Sequence, residues 1–388
     1  MDTMVAKGKL FWALLAPLVL VACATPVPSA QIGNYDRERL LSGEALPASI
    51  RAGISRPSDD VLGLSAEMIR FVGQATANSK TESDKIKALL HALFRSDEMV
   101  FVLDATATYT AAQTFEQGRA NCLSFAGMMV AMLRHLGVRA EFNEVDVPET
   151  WDMQSPKTMV LYKHVNVMIH TRTGRKQIVD FDMAGYDNSY RQRIISDQQA
   201  TAQYYNNRAM AYMFDENLSD AFSYLVKAIM LDPQGSYLWA NLGSLYRHAR
   251  SRDAAELSYQ AALNEDRGNL VAISNLARLY ESGGQAEMAR ELNRKAAYFR
   301  SRNPYFRYRQ GMDAFMNQNF ENAMSHTKTA IRIYPKEHRF HFLLGAIYQK
   351  VGKPKKAEAS MLRAVELSAD ANQRGTYRSK MSRLLSSR

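Results

Sequence analysis

The feature that most constrains this chain is a period. From residue 202 onward, positions 34 apart carry related side chains. Ala209, Gly243, Ala277, Gly311 and Gly345 form one register. Ala221, Ala255, Ala289, Ala323 and Ala357 form a second, and Ala228, Ala262, Ala296, Ala330 and Ala364 a third. A fourth position, Tyr205, Trp239, Ile273, Arg307 and His341, keeps the spacing with less uniform chemistry. Self-similarity at a period of roughly 20–50 residues is the mark of an array in which each unit buries its apolar face against the next. Small residues at fixed positions let two helices approach closely. Tyr212, Leu225, Tyr246, Tyr259, Tyr280 and Tyr348 fill the space between them, and Pro233 and Pro335 close their units, where a helix cannot continue.

The period resembles the tetratricopeptide repeat. Its best copy is SYLWANLGSLYRHARSRDAAELSYQAAL, with Trp239, Leu242, Gly243, Tyr246, Ala255, Tyr259 and Ala262 at the positions that carry the likeness. Five units follow, 202–235, 236–269, 270–303, 304–337 and 338–371, and 372–388 is expected to be a capping helix. Asn293, Arg307 and Thr327 stand where large apolar residues are usual, so the third and fourth units are weaker copies. The resemblance implies an all-α superhelix with a concave groove.

Of the 388 residues, 49 are Lys or Arg and 39 Asp or Glu. The excess lies in the array: residues 202–388 hold 28 basic against 17 acidic residues, whereas 23–201 hold 19 against 21. Such a balance suits a groove for a protein or peptide segment, acidic in character, or attraction to anionic lipid head groups. No nucleic-acid partner is expected.

The chain opens MDTMVAKGKLFWALLAPLVLVAC, with two lysines and an apolar run from Leu10 to Ala22. That run is shorter than the roughly 20 residues of a spanning helix and reads as an export signal. Leu20-Val21-Ala22-Cys23 resembles a bacterial lipobox. The resemblance implies removal of residues 1–22, lipidation of Cys23, and, with Ala24 following, an outer-membrane lipoprotein facing the periplasm. Membrane contact through that lipid anchor is the expectation, and 23–54 reads as a polar tether. Cys122 is then a lone free thiol in an oxidising compartment.

Between tether and array, residues 55–198 read as an α+β domain. DVLGLSAEMIRFVG (60–73) and ESDKIKALLHALFRS (82–96) are helical in period, with Thr81 and Asp84 placed as a capping box. A helix over 121–136 is followed by alternating runs 138–145, 159–170 and 176–183, which read as strands. Asn121 is a good N-cap, so Cys122 falls in the first helical turn, where backbone N–H groups and the helix dipole favour thiolate. A thiolate nucleophile needs a histidine and a group to orient it. Strand alternation puts His164, Asn166, Met168 and His170 on one face, and Asp180 and Asp182 share a face of the next run. A hairpin centred on Arg172 pairs His164 with Asp180; one centred on Thr173 pairs it with Asp182. No metal-ligand cluster is visible and no cofactor is expected.

Gly-x-x-Asn-Cys opening a helix, then a His-Val strand, then a strand ending Val-Asp-Phe, resembles the transglutaminase-like superfamily of papain-fold enzymes. The resemblance implies Cys122 as nucleophile, His164 as general base and Asp180 as orienting carboxylate, with Asp182 as its alternative. The Cys122 N–H and the side chains of Gln117 or Gln113 are candidate oxyanion donors. Many members carry an aromatic residue two places after the histidine; Asn166 stands there instead. The expected function is a cysteine-dependent amide-bond hydrolase or acyltransferase whose repeats hold a protein substrate. The competing expectation is a catalytically idle scaffold that recruits envelope proteins through the repeats.

Overall fold

A computed structural model describes residues 33–94, 101–145, 164–172, 174–181, 192–368 and 371–386. Two short helices come first, α1 (Asn34–Ser42) and α2 (Ala48–Arg51). They correct the expectation of a free tether over 23–54, at least from residue 34 onward. Leu40 and Leu46 are buried, 2% and 3% exposed. The Tyr246 hydroxyl donates to the Leu40 carbonyl at 2.5 Å, Ser251 Oγ to that of Ala45 at 2.5 Å, and Ser219 Oγ to that of Ile50 at 2.8 Å. Two leucines suffice because the partner surface comes from the repeats, more than 150 residues away in the chain.

The α+β part begins with α3 (Ala66–Thr76) and α4 (Glu82–Phe94). Helix α3 starts later than its apolar period suggested because Ser65 caps it, accepting from the Met68 N–H. Thr81 and Asp84 form the expected reciprocal pair, Asp84 N–H to Thr81 Oγ1 at 3.1 Å and Thr81 N–H to Asp84 Oδ2 at 3.2 Å. Strand β1 (Val102–Leu103) pairs in parallel with β2 (Arg119–Ala120), and α5 (Ala111–Gln117) lies between them in sequence. Helix α6 (Cys122–His135) is buried along most of its length. Strands β3 (Arg139–Val145), β4 (His164–His170), β5 (Lys176–Val179) and β6 (Gln192–Ile195) form one antiparallel sheet in the order β5-β4-β3-β6. Strand β6 has no alternating apolar pattern and was not expected. The expected strand residues 159–163, 182 and 183 lie outside the described residues.

Ten helices follow as five antiparallel pairs: α7 (Asp197–Phe214) with α8 (Leu218–Leu231), α9 (Ser236–His248) with α10 (Arg252–Glu265), α11 (Leu270–Ser282) with α12 (Ala286–Arg302), α13 (Pro304–Met316) with α14 (Phe320–Ile333), and α15 (His338–Lys350) with α16 (Pro354–Leu367). Helix α17 (Ala371–Ser386) ends the described chain. The fold is an α+β domain followed by a helical-repeat superhelix. The small-residue registers have a direct steric reason. A Cβ on Gly243 would sit 2.6 Å from the Tyr259 ring, one on Gly311 2.5 Å from Thr327 Oγ1, and one on Gly345 2.6 Å from Met361 Cγ. Thr327, polar where the period predicts an apolar residue, is fully buried and donates to the Ala323 carbonyl at 2.7 Å.

The two parts share one continuous apolar core, from Leu40 through α6 and the sheet to Ala296. Arg134 at the end of α6 forks onto Asp197 at the start of α7, at 2.6 and 2.9 Å. Buried Glu144 on β3 accepts from Gln203 Nε2 of α7 at 2.6 Å. The helix that begins with Cys122 is therefore packed directly on the first repeat. Among the described residues, no helix is long and apolar enough to cross a membrane.

Candidate active site

Cys122 is the first residue of α6 and is partly exposed. Its position follows from the cap. Asn121 Oδ1 accepts from the Ser124 N–H at 2.9 Å, and Asn121 Nδ2 donates to Thr108 Oγ1 at 2.8 Å. The Asn121 N–H donates to the Ala107 carbonyl at 2.9 Å, and the Tyr109 N–H to Ser124 Oγ at 2.9 Å. The turn before the helix is thus tied to the 107–109 segment on several sides, and the thiol leaves the first turn where the dipole is positive.

His164 opens β4, and its side chain is 11% exposed. Its Nε2 lies 2.7 Å from Asp180 Oδ2, and the Asp180 side chain is fully buried. The strand register is the one that centres on residue 173, with Val167 opposite Val179 and His170 opposite Lys176. That register was expected to bring Asp182 to His164, yet Asp180 makes the contact. The reason is geometric: β5 stops at Val179, and Asp180 lies across from Asn166, one diagonal step from His164 on the same face. Asp182 lies outside the described residues.

Asn166 completes the arrangement. It is 1% exposed; its Nδ2 donates to Asp180 Oδ2 at 2.9 Å, and its Oδ1 accepts from Asn143 Nδ2 at 2.7 Å. Asn143 Nδ2 also reaches Gln192 Oε1 at 3.0 Å. Asn143 and Gln192, from β3 and β6, had no signal in the sequence, because only the observed register brings them to this row. Strand alternation puts Asn166 on the His164 face, but nothing in the sequence marks its bond to Asp180.

The electrostatics favour a charged imidazole. Burial pulls the His164 pKa down, but hydrogen bonds to Asp180 and to Cys122, with the charges of both partners, outweigh it and hold the pKa up to about 10. The carboxylate and the sulfur therefore both act on the same imidazole.

Both glutamine candidates lie on α5. Gln113 is occupied as the third residue of the α5 capping box, its Oε1 accepting from the Thr110 N–H at 3.1 Å. Gln117 ends α5 with an exposed side chain. Cys23 lies outside the described residues. Among the described residues no group of three or more His, Cys, Asp or Glu side chains is arranged to hold a metal ion.

Residues 69–172 match the sequence model of the transglutaminase-like superfamily, and 202–234 and 338–370 match that of the tetratricopeptide repeat. The chain carries a transglutaminase-like domain and tetratricopeptide repeats. The first match spans Cys122 and His164 and stops short of Asp180. Two curated proteins of Schizosaccharomyces pombe are similar in part. Superkiller protein 3 is 26% identical over 161 residues, 39% of this chain and 12% of its own length. Anaphase-promoting complex subunit 3 is 24% identical over 127 residues, 33% of this chain and 19% of its own length. The chain thus spans less than a fifth of either relative. A solved structure of PilF from Pseudomonas aeruginosa is 16% identical and covers 50% of this chain and 96% of that one, with a TM-score of 0.26.

Proposed function

We propose that the chain is a cysteine-dependent amide-bond hydrolase or acyltransferase, with Cys122 as nucleophile, His164 as its proton carrier and Asp180 as the orienting carboxylate. The observation that carries this reading is the His164 imidazole, 2.7 Å from the Asp180 carboxylate and near enough to Cys122 for the sulfur to help raise its pKa. With Nε2 engaged by Asp180, Nδ1 is the nitrogen that exchanges a proton with sulfur. The thiolate attacks an amide carbonyl carbon. The tetrahedral adduct collapses as imidazolium protonates the leaving amine, and a thioester remains on Cys122. His164 then takes a proton from water or from an amine, which attacks the thioester and returns the thiol. Water gives hydrolysis and a lysine amine gives a cross-link; an aqueous compartment favours the former.

The repeats are proposed to hold the protein or peptide that is acted on, in keeping with the protein-interaction role of such arrays. The direct packing of α7, the first repeat helix, on α6 supports a substrate held by the array and delivered to Cys122. The location proposed is the periplasmic face of the outer membrane, with lipid on Cys23; the support is the apolar run followed by Leu20-Val21-Ala22-Cys23.

The test is labelling with a peptide-like thiol-reactive electrophile. Stoichiometric modification that disappears in Cys122→Ala and slows by about 100-fold or more in His164→Ala is expected. A folded protein that does not label, or that labels equally fast without His164, sinks the enzyme and leaves the docking scaffold.

A further inference from the structure

The basic charge is not spread over the whole array. Residues 202–277 hold 6 Lys and Arg against 8 Asp and Glu, whereas 278–388 hold 22 against 9. Nor is it spread evenly around the last three repeats. Because the helices of each pair are antiparallel, the second helix of one unit ends where the first helix of the next begins, so the turns between units share one edge. Arg267, Arg300, Arg302, Arg332 and Lys336 stand in or beside those turns. Among the described residues none of the five is in an ion pair. The carboxylates nearby are engaged: Glu265 with Arg37, buried Glu337 with Arg339 at 2.7 Å, and Asp266 with the Gly268 N–H at 2.8 Å. Exposed apolar groups lie among these cations. Tyr298 is 52% exposed with the Arg302 guanidinium 4.6 Å above its ring, and Ile333 is 39% exposed.

A second, independent observation points to the same edge. The N-terminal segment lies along the second repeat in a definite direction. Arg37 meets Glu265, the last residue of α10, and stacks 5.2 Å from the Trp239 ring, while Ala45 meets Ser251 at the opposite edge. The described chain therefore enters at the edge that carries the inter-unit turns. Cys23 stands ten residues before Gly33, within a reach of about 35 Å for extended chain.

We propose that this edge of the array, from Arg267 to Lys336, lies against an anionic phospholipid surface, with the N-terminal segment leading into the same surface. Cations interleaved with tyrosine and isoleucine suit the head-group region, where basic side chains gain from surface potential and amphipathic rings from partial burial. An acidic protein partner accounts for the charge but not for the coincidence of the cationic edge with the entry of the chain. The proposal builds on the envelope location but does not depend on lipid at Cys23. It places α17 and the later repeats alongside the membrane and not out in solution.

The test is co-sedimentation of the full chain carrying Cys23→Ser with vesicles of phosphatidylethanolamine and phosphatidylglycerol, compared with phosphatidylcholine alone. The apolar leader is common to every variant, so differences between variants read the edge. Binding to the anionic vesicles is expected, falling with salt, and falling about tenfold or more in the triple variant Arg302→Glu, Arg332→Glu, Lys336→Glu. The same charge change at the opposite edge, Lys350→Glu, Lys353→Glu, Lys355→Glu, is expected to leave it within about twofold. All six side chains are exposed, so both variants keep their fold, checked by circular dichroism. Equal loss in the two variants, or no preference for anionic vesicles, overturns the proposal. Absence of lipid on Cys23, read by mass spectrometry, sinks the anchor alone.

Discussion

The Phe181 ring lies stacked on the Phe125 ring, centroids 4.5 Å apart and planes 11° from parallel. Phe125 is one helical turn beyond Cys122, and Phe181 directly follows Asp180. The stack therefore fastens the helix that carries the sulfur to the bend that carries the carboxylate. Phe101 and Phe94 also rest on Phe125, at 5.9 and 5.5 Å.

Loss of that stack should loosen the site more than the fold. An aromatic pair contributes about 0.5–1.5 kcal/mol beyond its burial. Phe181→Ala is expected to slow labelling of Cys122 by about threefold to tenfold, with Phe181→Leu in between. The second-order rate of modification by a small electrophile is the measurement. A Phe181→Ala protein that is folded and reacts at the parental rate shows that the stack positions nothing.

The His164 imidazole makes stability depend on pH in a definite direction. Its folded pKa is raised from 6.5 to about 10, despite burial, by Asp180 and Cys122. A raised pKa means the folded state binds the proton more tightly. The stabilisation is complete below about pH 6.5 and is lost as pH rises through about 10. Its size is on the order of a few kcal/mol at most for a pair this far removed from water. The melting temperature is expected to fall between these limits, and His164→Gln should flatten that fall. Cys122→Ala removes one of the two stabilising partners, so the imidazole should titrate at lower pH, read from the histidine proton signals. An unchanged titration in that variant would mean that sulfur does not touch the ring.

Asn166 is expected to position Asp180 and so to act on catalysis indirectly. Its amide donates to the same carboxylate oxygen that holds His164, while Asn143 fixes the amide from behind. Two substitutions should move the His164 pKa in opposite directions. Asn166→Leu removes the donor, frees the carboxylate to turn away and lowers the pKa. Asn166→Asp sets a second acid beside the first and keeps the imidazolium favoured, raising it further. The pH profile of Cys122 labelling separates them; shifts of the same sign would reduce Asn166 to a packing residue.

The contrast between Cys122 and its partners shows what sequence patterning carries. A cap residue followed by apolar positions at helical spacing is local information, so Asn121 and the run to Leu133 placed Cys122 correctly in a first turn. The repeats were legible for a similar reason, since each 34-residue register reports one helix-to-helix contact such as Gly243 on Tyr259. Strand register is not local. It depends on the turn, and one residue of slip changes which carboxylate is opposite His164. The actual contact, diagonal and beyond the end of β5, fits neither simple pairing. Asn143 and Gln192 were invisible because nothing in their own neighbourhoods marks a shared row. The segment 34–54 read as a tether because its few apolar residues, Leu40 and Leu46 among them, have no core of their own until the second repeat supplies one.

The turn inside each repeat offers a test of stored strain. Glu216, Arg250, Gly284, Gln318 and Gly352 are 34 residues apart and all have positive φ, from 59° to 75°. Two are glycines, which adopt this conformation freely; the other three are L residues held in a region that costs them roughly 1 kcal/mol. Gln318 is exposed, sits between α13 and α14, and its N–H donates to the Phe315 carbonyl at 3.0 Å, a bond glycine keeps. Gln318→Gly should therefore stabilise the fourth repeat by a few tenths of a kcal/mol up to about 1 kcal/mol, the relief being partly offset by the greater freedom of glycine in the unfolded chain. The reverse change, Gly352→Ala, meets no neighbouring atom within 4 Å but must take the left-handed conformation at φ +70°, and should destabilise by a similar amount. Differential scanning calorimetry of the two variants, singly and together, checks both signs. Destabilisation by Gln318→Gly would show that the glutamine side chain makes up for its backbone, and that this turn stores no strain.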